Sequence, residues 1–204
     1  MPPFVAAFLL LLISHLCPAD EWPVACHDLS RTGVADGAGP VAGEIAWSAY
    51  LGGSVDGSPV VLGDRIYVGT SAGMLYALER RSGDVLWRYD TGGAITGAVA
   101  VGDGRVFVGS ADCFLYALAA DTGKELWRHR TDRPILQSVT LADGLVLLGS
   151  MDGTFRALDP ETGRSRWLIK GAGGVSALPA IRDGIVYYGD EAGVVTAVSL
   201  ARGE

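Results

Sequence analysis

An all-β fold of stacked four-stranded antiparallel blades is predicted by three observations. First, Trp47, Trp87, Trp127 and Trp167 stand 40 residues apart, and the same interval separates Ala77, Ala117, Ala157 and Ala197, with no insertion or deletion. Second, Gly/Asp turn signals recur inside each period and divide it into four short apolar or alternating runs. Third, glycine supplies 29 of the 204 residues, about twice its usual share, so a helical period would be broken wherever one began. A four-stranded meander of 40 residues cannot bury both of its faces, so it must stack on copies of itself. Four strands per repeat, arranged radially, define a β-propeller, with about four blades present.

The elements follow in chain order. Residues 1–19 hold no Asp, Glu, Lys or Arg, and Phe4 to Ile13 form an apolar run of about ten residues. That is too short to cross a bilayer and suits the h-region of a signal peptide. Cys17-Pro18-Ala19 places small residues at −3 and −1 of a cut before Asp20, which gives an exported, extracytoplasmic chain. Retention as an anchor and lipidation at Cys17 stay open as alternatives. With the leader removed, Cys26 and Cys113 are the two remaining cysteines; sequence does not decide between a disulfide and two separate thiols.

Residues 20–44 read as a lead-in strap, with Trp22-Pro23, Cys26-His27-Asp28 and Arg31-Thr32-Gly33. His27 beside Cys26 and Asp28 resembles half of a metal site, but no second Cys/His cluster completes it, and the reading is structural. Residues 45–204 form the propeller repeats. A Trp strand is expected at 45–51, then blades at about 57–90, 97–130, 137–170 and 177–204. Gly63-Asp64, Asp103-Gly104, Asp143-Gly144 and Asp183-Gly184 share one repeat position, where a two-residue hairpin needs positive φ. Ser82-Gly83, Thr122-Gly123 and Thr162-Gly163 mark a second tight turn before the Trp strand.

The formal charge is −7 and the pI about 4.9, with Lys and Arg scattered among acidic residues. Nucleic acid requires a concentrated basic face, and so does an anionic membrane surface; neither is an expected partner, and no membrane span is expected after leader cleavage.

Ala157-Leu158-Asp159-Pro160-Glu161-Thr162-Gly163-Arg164-Ser165-Arg166-Trp167 fits the pattern Ala-x-Asp-x-x-Thr-Gly-x-x-x-Trp in full. Ala117 to Trp127 departs from it only at Ala119, and Ala77 to Trp87 at Glu79 and Ser82. In these residues the chain resembles the PQQ-like propeller repeat of quinoprotein alcohol dehydrogenases and BamB-type outer-membrane assembly lipoproteins, over about residues 21–204. The resemblance implies a ring of seven or eight blades, and it implies that Trp47, Trp87, Trp127 and Trp167 each dock a blade onto its neighbour.

Catalysis is not carried over with the fold. The family's enzymes add a catalytic Asp, a Ca²⁺ site and often an adjacent cysteine pair, whereas this chain has no Cys-Cys and no Asn. Repeat arithmetic places the central loops at Ser54-Val55-Asp56, Ala94-Ile95-Thr96, Pro134-Ile135-Leu136 and Gly174-Val175-Ser176, where Asp56 is the single carboxylate. His15, His27 and His129 form no constellation, and His129, between Arg128 and Arg130, reads as part of a solvated face. Tyr67, Phe107, Tyr187, Tyr188, Tyr76, Tyr116 and Phe114 read as packing, not as a stacking platform for a sugar or quinone. No catalytic, cofactor-binding or metal residue is therefore assigned.

The leftover Trp strand at the start matches a gap at the finish, where the next Trp would fall near position 207, 160 residues after Trp47. The chain is then part of a longer propeller, a single-chain ring closed by its own first strand, or a homodimer formed by strand exchange. The expected function is a non-catalytic scaffold for a protein partner in an envelope complex, without a cofactor. The alternatives are a fragment of a PQQ-dependent dehydrogenase, with PQQ and calcium, and an extracytoplasmic ligand-sensing module.

Overall fold

The computed structural model describes residues 44–204, which contain fifteen strands in four antiparallel sheets. Blade 1 comprises β1 (Val60–Leu62), β2 (Arg65–Gly69), β3 (Met74–Glu79) and β4 (Val85–Asp90). Blade 2 comprises β5 (Ala100–Gly102), β6 (Arg105–Gly109), β7 (Phe114–Ala119) and β8 (Glu125–Arg130). Blade 3 comprises β9 (Thr140–Ala142), β10 (Leu145–Gly149), β11 (Thr154–Leu158) and β12 (Ser165–Lys170). Blade 4 has three strands, β13 (Ala180–Arg182), β14 (Ile185–Gly189) and β15 (Val195–Ser199). Every strand pairs with its sequence neighbour, so each blade is an up-and-down meander.

The hairpin turns carry the expected backbone. Asp103, Asp143 and Asp183 have φ of 48°, 46° and 51°, each followed by a glycine near 70°, as a type I′ turn requires. The first strand of each blade has three residues. Ala98, just before the first strand of blade 2, links blades: its N–H donates to Ser138 Oγ at 2.8 Å, and its carbonyl accepts from Val139 N–H at 3.2 Å.

The outer strands slip by one residue just before their tryptophan. Ala77 faces Trp87 while Leu78 faces Val85, and the same shift recurs at Ala117/Leu118 and Ala157/Leu158. A bulge adds a residue to one strand and turns the side chains beyond it. Here the extra residue is Leu86, Leu126 or Arg166; Leu86 and Leu126 are left exposed, and the following Trp turns toward the next blade.

The core lies between blades. Tyr67, Leu75, Ala77 and Trp87 of blade 1 pack against Ile95, Val99, Val106, Val108 and Leu118 of blade 2. The pattern repeats with Phe107 and Leu115 against Ile135, Val146 and Leu148, then with Phe155 and Ala157 against Val175, Val186 and Val198. Burying each such aliphatic or aromatic side chain is worth about 1.5–3 kcal/mol, so the stack is stabilised at its joints.

Two expectations are corrected at the ends and one at the aromatics. Ile45–Leu51 is not a strand, because no strand runs alongside it to accept its ladder of hydrogen bonds. The single-chain ring is not formed either: among the described residues, no fourth strand joins β15. Tyr67, Phe107, Tyr76, Tyr116 and Tyr188 are buried packing, as expected, but Tyr187 is 43% exposed because no blade covers its face. The leader, Cys17, the strap with His27, and Cys26 with its pairing to Cys113 lie outside the described residues.

Candidate functional site

The tryptophans dock as the repeat implied. Trp47, Trp87, Trp127 and Trp167 donate their indole N–H to the carbonyls of Arg80, Ala120, Pro160 and Leu200, each 33 residues on, at 2.9–3.0 Å. Each ring lies over the glycine of that next blade's second turn. A Cβ on Gly123 or Gly163 would sit 2.6 Å from the indole, and φ there is near 70°. Only glycine admits both the backbone and the ring. The Tyr67 hydroxyl reinforces the first complete joint by donating to Ala120 O at 3.1 Å.

The central loops are plugs between blades. Ile95 and Ile135 are fully buried and Val175 nearly so, and each fits against a glycine of the preceding blade. A Cβ on Gly69, Gly109 or Gly149 would meet them at 2.2, 2.3 and 2.4 Å. Val55, first of this series, is 46% exposed, and Gly189, last of the sockets, would meet nothing closer than Val194 O at 3.9 Å. Asp56 is exposed and accepts from the Ser54 hydroxyl at 3.3 Å. Among the described residues, no group of three or more His, Cys, Asp or Glu side chains is placed to hold a metal ion.

A polar cluster that the sequence reading missed joins blades 2 and 3. Arg156 is buried, with Nη2 donating to Asp152 Oδ2 at 2.6 Å and Nε to Thr154 Oγ1 at 2.8 Å. Its Nη1 lies 3.2 Å from His129 Nε2, and His129 Nδ1 lies 3.0 Å from Gly163 O. A carbonyl only accepts, so Nδ1 carries the proton and Nε2 accepts from the guanidinium. His129 is thus half-buried and doubly bonded, which corrects the solvated-face expectation. Burial first, and then the Arg156 charge, lower its pKa from 6.5. Asp152 is held below its ordinary range: burial opposes this, but hydrogen bonds from Thr154 and Asp132 N–H and the charge of Arg156 outweigh it. The signal was present in the repeat, since Tyr89 and Tyr116 become His129 and Arg156 one period later, changing together.

The remaining unusual surface is the outer face of blade 4. Tyr187 and Val195, 43% and 78% exposed, occupy the repeat positions of Tyr67 and Leu75, which are 2% and 0% exposed.

Blades of four antiparallel strands, stacked face to face and joined by an indole on a glycine turn, define a β-propeller array of the PQQ-like kind. The chain belongs to the family described as outer membrane protein assembly factor BamB, whose model matches residues 34–95 and 71–204. BamB from Moraxella catarrhalis is similar in structure, with 22% identity and a TM-score of 0.70 over 78% of this chain and 51% of BamB. The quinohemoprotein alcohol dehydrogenase from Comamonas testosteroni gives 21% identity and a TM-score of 0.76 over 90% of this chain and 40% of the enzyme. The computationally designed protein Ika4 gives 21% and 0.70, covering 78% of this chain and 99% of the design. At these identities the likeness shows the fold, and the chain spans about half the length of that BamB. No curated protein matches the sequence.

Proposed function

We propose that the chain is a non-catalytic propeller scaffold of the cell envelope, exported and presenting a surface to a protein partner, as the BamB family description suggests. The observation that supports this most is the use of the central loops. Ile95, Ile135 and Val175, at the positions where inner-loop ligands would have to project, are buried as plugs between blades. Side chains committed to the joints are not free to coordinate a cofactor. The test is cell fractionation followed by affinity capture from the solubilised envelope. A tagged chain is expected in the extracytoplasmic fraction together with outer-membrane assembly components; a cytoplasmic chain, or one that captures none of them, contradicts the reading.

A second reading, part of a PQQ-dependent dehydrogenase, is favoured by one observation. The Comamonas enzyme superposes on more of this chain than BamB does, 90% against 78%, and with the higher TM-score. Titration of the purified chain with PQQ and Ca²⁺ while following dye reduction separates the two: saturable, cofactor-dependent turnover would establish the enzyme and remove the scaffold.

A further inference from the structure

The outermost strand of a propeller blade has one free edge whether or not the ring is closed, so the edge of β8 belongs to blade 2 itself. Register fixes which residues stand on it. Thr131 N–H donates to Cys113 O and Phe114 faces Arg130, so the next bonded pair is Leu115 with His129. Arg128 and Arg130, between the bonded residues, therefore turn their N–H and C=O away from β7. Arg156 Nη1, 3.5 Å from Arg130 O, reaches that carbonyl from the neighbouring blade.

The side chains of this edge are cationic. Arg128 and Arg130 share the face of Phe114, the Arg128 guanidinium lies over that ring at 5.1 Å, and both arginines are exposed. Arg133, exposed in the loop that leaves β8, adds a third cation where the other blades have Gly53, Gly93 and Gly173. A Cβ on Gly93 or Gly173 would sit 2.4 or 2.5 Å from a backbone nitrogen, so Arg133 is accommodated where two other joints leave no room for a side chain. The carboxylates of the region are largely engaged: Glu125 by Tyr89 and Arg128, Asp112 by Tyr116 and Phe114 N–H, Asp152 by Arg156. Among the described residues, Arg130 and Arg133 have no ion-pair partner, and only the exposed Asp132 lies between them in sequence. The other outer edges differ. On β4, Arg88 stands with Asp90; on β12, Arg166 is held by Asp159 at 2.5 Å, which leaves Lys170.

Charge on an edge is a device against pairing, and two β8 edges laid together would set arginine against arginine. The same charges admit a strand of opposite sign. We propose that the outer edge of β8 binds an extended acidic segment of a protein partner, added as a further strand with carboxylates at i and i+2 facing Arg128 and Arg130. Each acidic residue exchanges its backbone bonds with the arginine opposite while its carboxylate meets the guanidinium. This edge gives the scaffold of the preceding section its partner chemistry and rests on that reading.

The test uses the purified 204-residue chain and a fluorescein-labelled peptide, Thr-Val-Glu-Val-Glu-Val-Thr, read by anisotropy. Saturable binding is expected for this peptide and none for the version with lysine at both glutamates. N-methylation separates strand addition from plain attraction. At the two glutamates it removes the donors aimed at β8 and should abolish binding, whereas at the central valine it alters an N–H that points away and should change little. Arg130→Glu turns an exposed attraction into a repulsion and should weaken the parent peptide about tenfold, while Arg88→Glu on β4 should leave it unchanged. Arg130 is exposed and without an ion pair, so the substituted chain keeps its fold, which circular dichroism checks. Absence of saturable binding, equal binding of the lysine peptide, indifference to Arg130→Glu, or undiminished binding of the glutamate-methylated peptide would each overturn the proposal. Peptide binding by a chain that captures no envelope component would keep the edge as a site and remove the envelope scaffold; capture without peptide binding would do the reverse.

Discussion

The joint between blades 1 and 2 and the joint between blades 2 and 3 share a docking surface and differ in what pins it. In both, an indole lies over a glycine turn and donates to a carbonyl 33 residues on, with a tilted aromatic partner 5.7–5.9 Å away, Tyr67 for Trp87 and Phe107 for Trp127. The first joint is pinned by phenols: the Tyr116 hydroxyl lies 2.9 Å from Thr91 O and also reaches Asp112 Oδ2, its one proton shared between the two acceptors, Tyr89 packs edge-on against Tyr116, and the Tyr89 hydroxyl bonds Glu125. The second is pinned by the Asp152–Arg156–His129 cluster. Apolar docking thus tolerates a change of polar chemistry beside it, because each cluster satisfies its own donors and acceptors. The difference lies in response to pH. Both phenols are held above their ordinary range, chiefly by burial and then by the adjacent carboxylates, so neither phenol ionises near neutrality.

The shared part should be the most sensitive. Gly123→Val and Gly163→Val each drive a Cβ into an indole at a positive-φ position, and each should cost about 4 kcal/mol or more, read as loss of a folded baseline in urea titration. A much smaller loss at one of the two would mean that the joints are not equivalent. Trp127→Ala removes the indole from a partly buried site and should cost about 3 kcal/mol by the same titration.

Replacing the pins should separate the joints. Arg156→Leu leaves the buried Asp152 carboxylate without its cation and should cost about 3 kcal/mol. Arg156→Tyr rebuilds the first joint's chemistry in the second, with a phenol reaching Asp152 as Tyr116 reaches Asp112, and should cost only about 1 kcal/mol. Equal losses for Leu and Tyr would show that the guanidinium is not the pin.

Much of this was legible in the sequence, because a repeat shows its structural residues by copying them. Trp87, Gly123 and the Asp103-Gly104 turn recur since every joint and hairpin needs them, and all three take the expected places. His129 and Arg156 were not legible for the complementary reason: they occur once each at positions that vary through the repeat, Ala49, Tyr89, His129, Ile169 and Tyr76, Tyr116, Arg156, Thr196, and flanking arginines made His129 look solvated. Contact between β8 and β11 is set by the stacking of blades, which neither residue's local sequence reveals. Ile45–Leu51 misled in another way, since strand-like sequence needs a neighbouring strand before it becomes one.

The smallest effect, and the sharpest on the comparison, is the pH response of His129. Its folded pKa lies below the ordinary 6.5, through burial and then the Arg156 charge, so the unfolded chain takes up the proton first. Stability is therefore intact above pH 6.5 and falls as pH drops through that value toward the folded pKa. The proton would add to Nε2, the atom that now accepts from Arg156, turning that hydrogen bond into a repulsion between two cations across the second joint. Melting temperature measured from pH 7.5 to 5 should decline for the wild type, and His129→Phe should flatten the part of the decline below 6.5. Tyr116→Phe should leave that slope unchanged, since the phenol it removes is held above its ordinary range and does not ionise in this window. A His129→Phe chain with an unaltered slope would assign the pH dependence elsewhere and leave the two joints electrostatically alike.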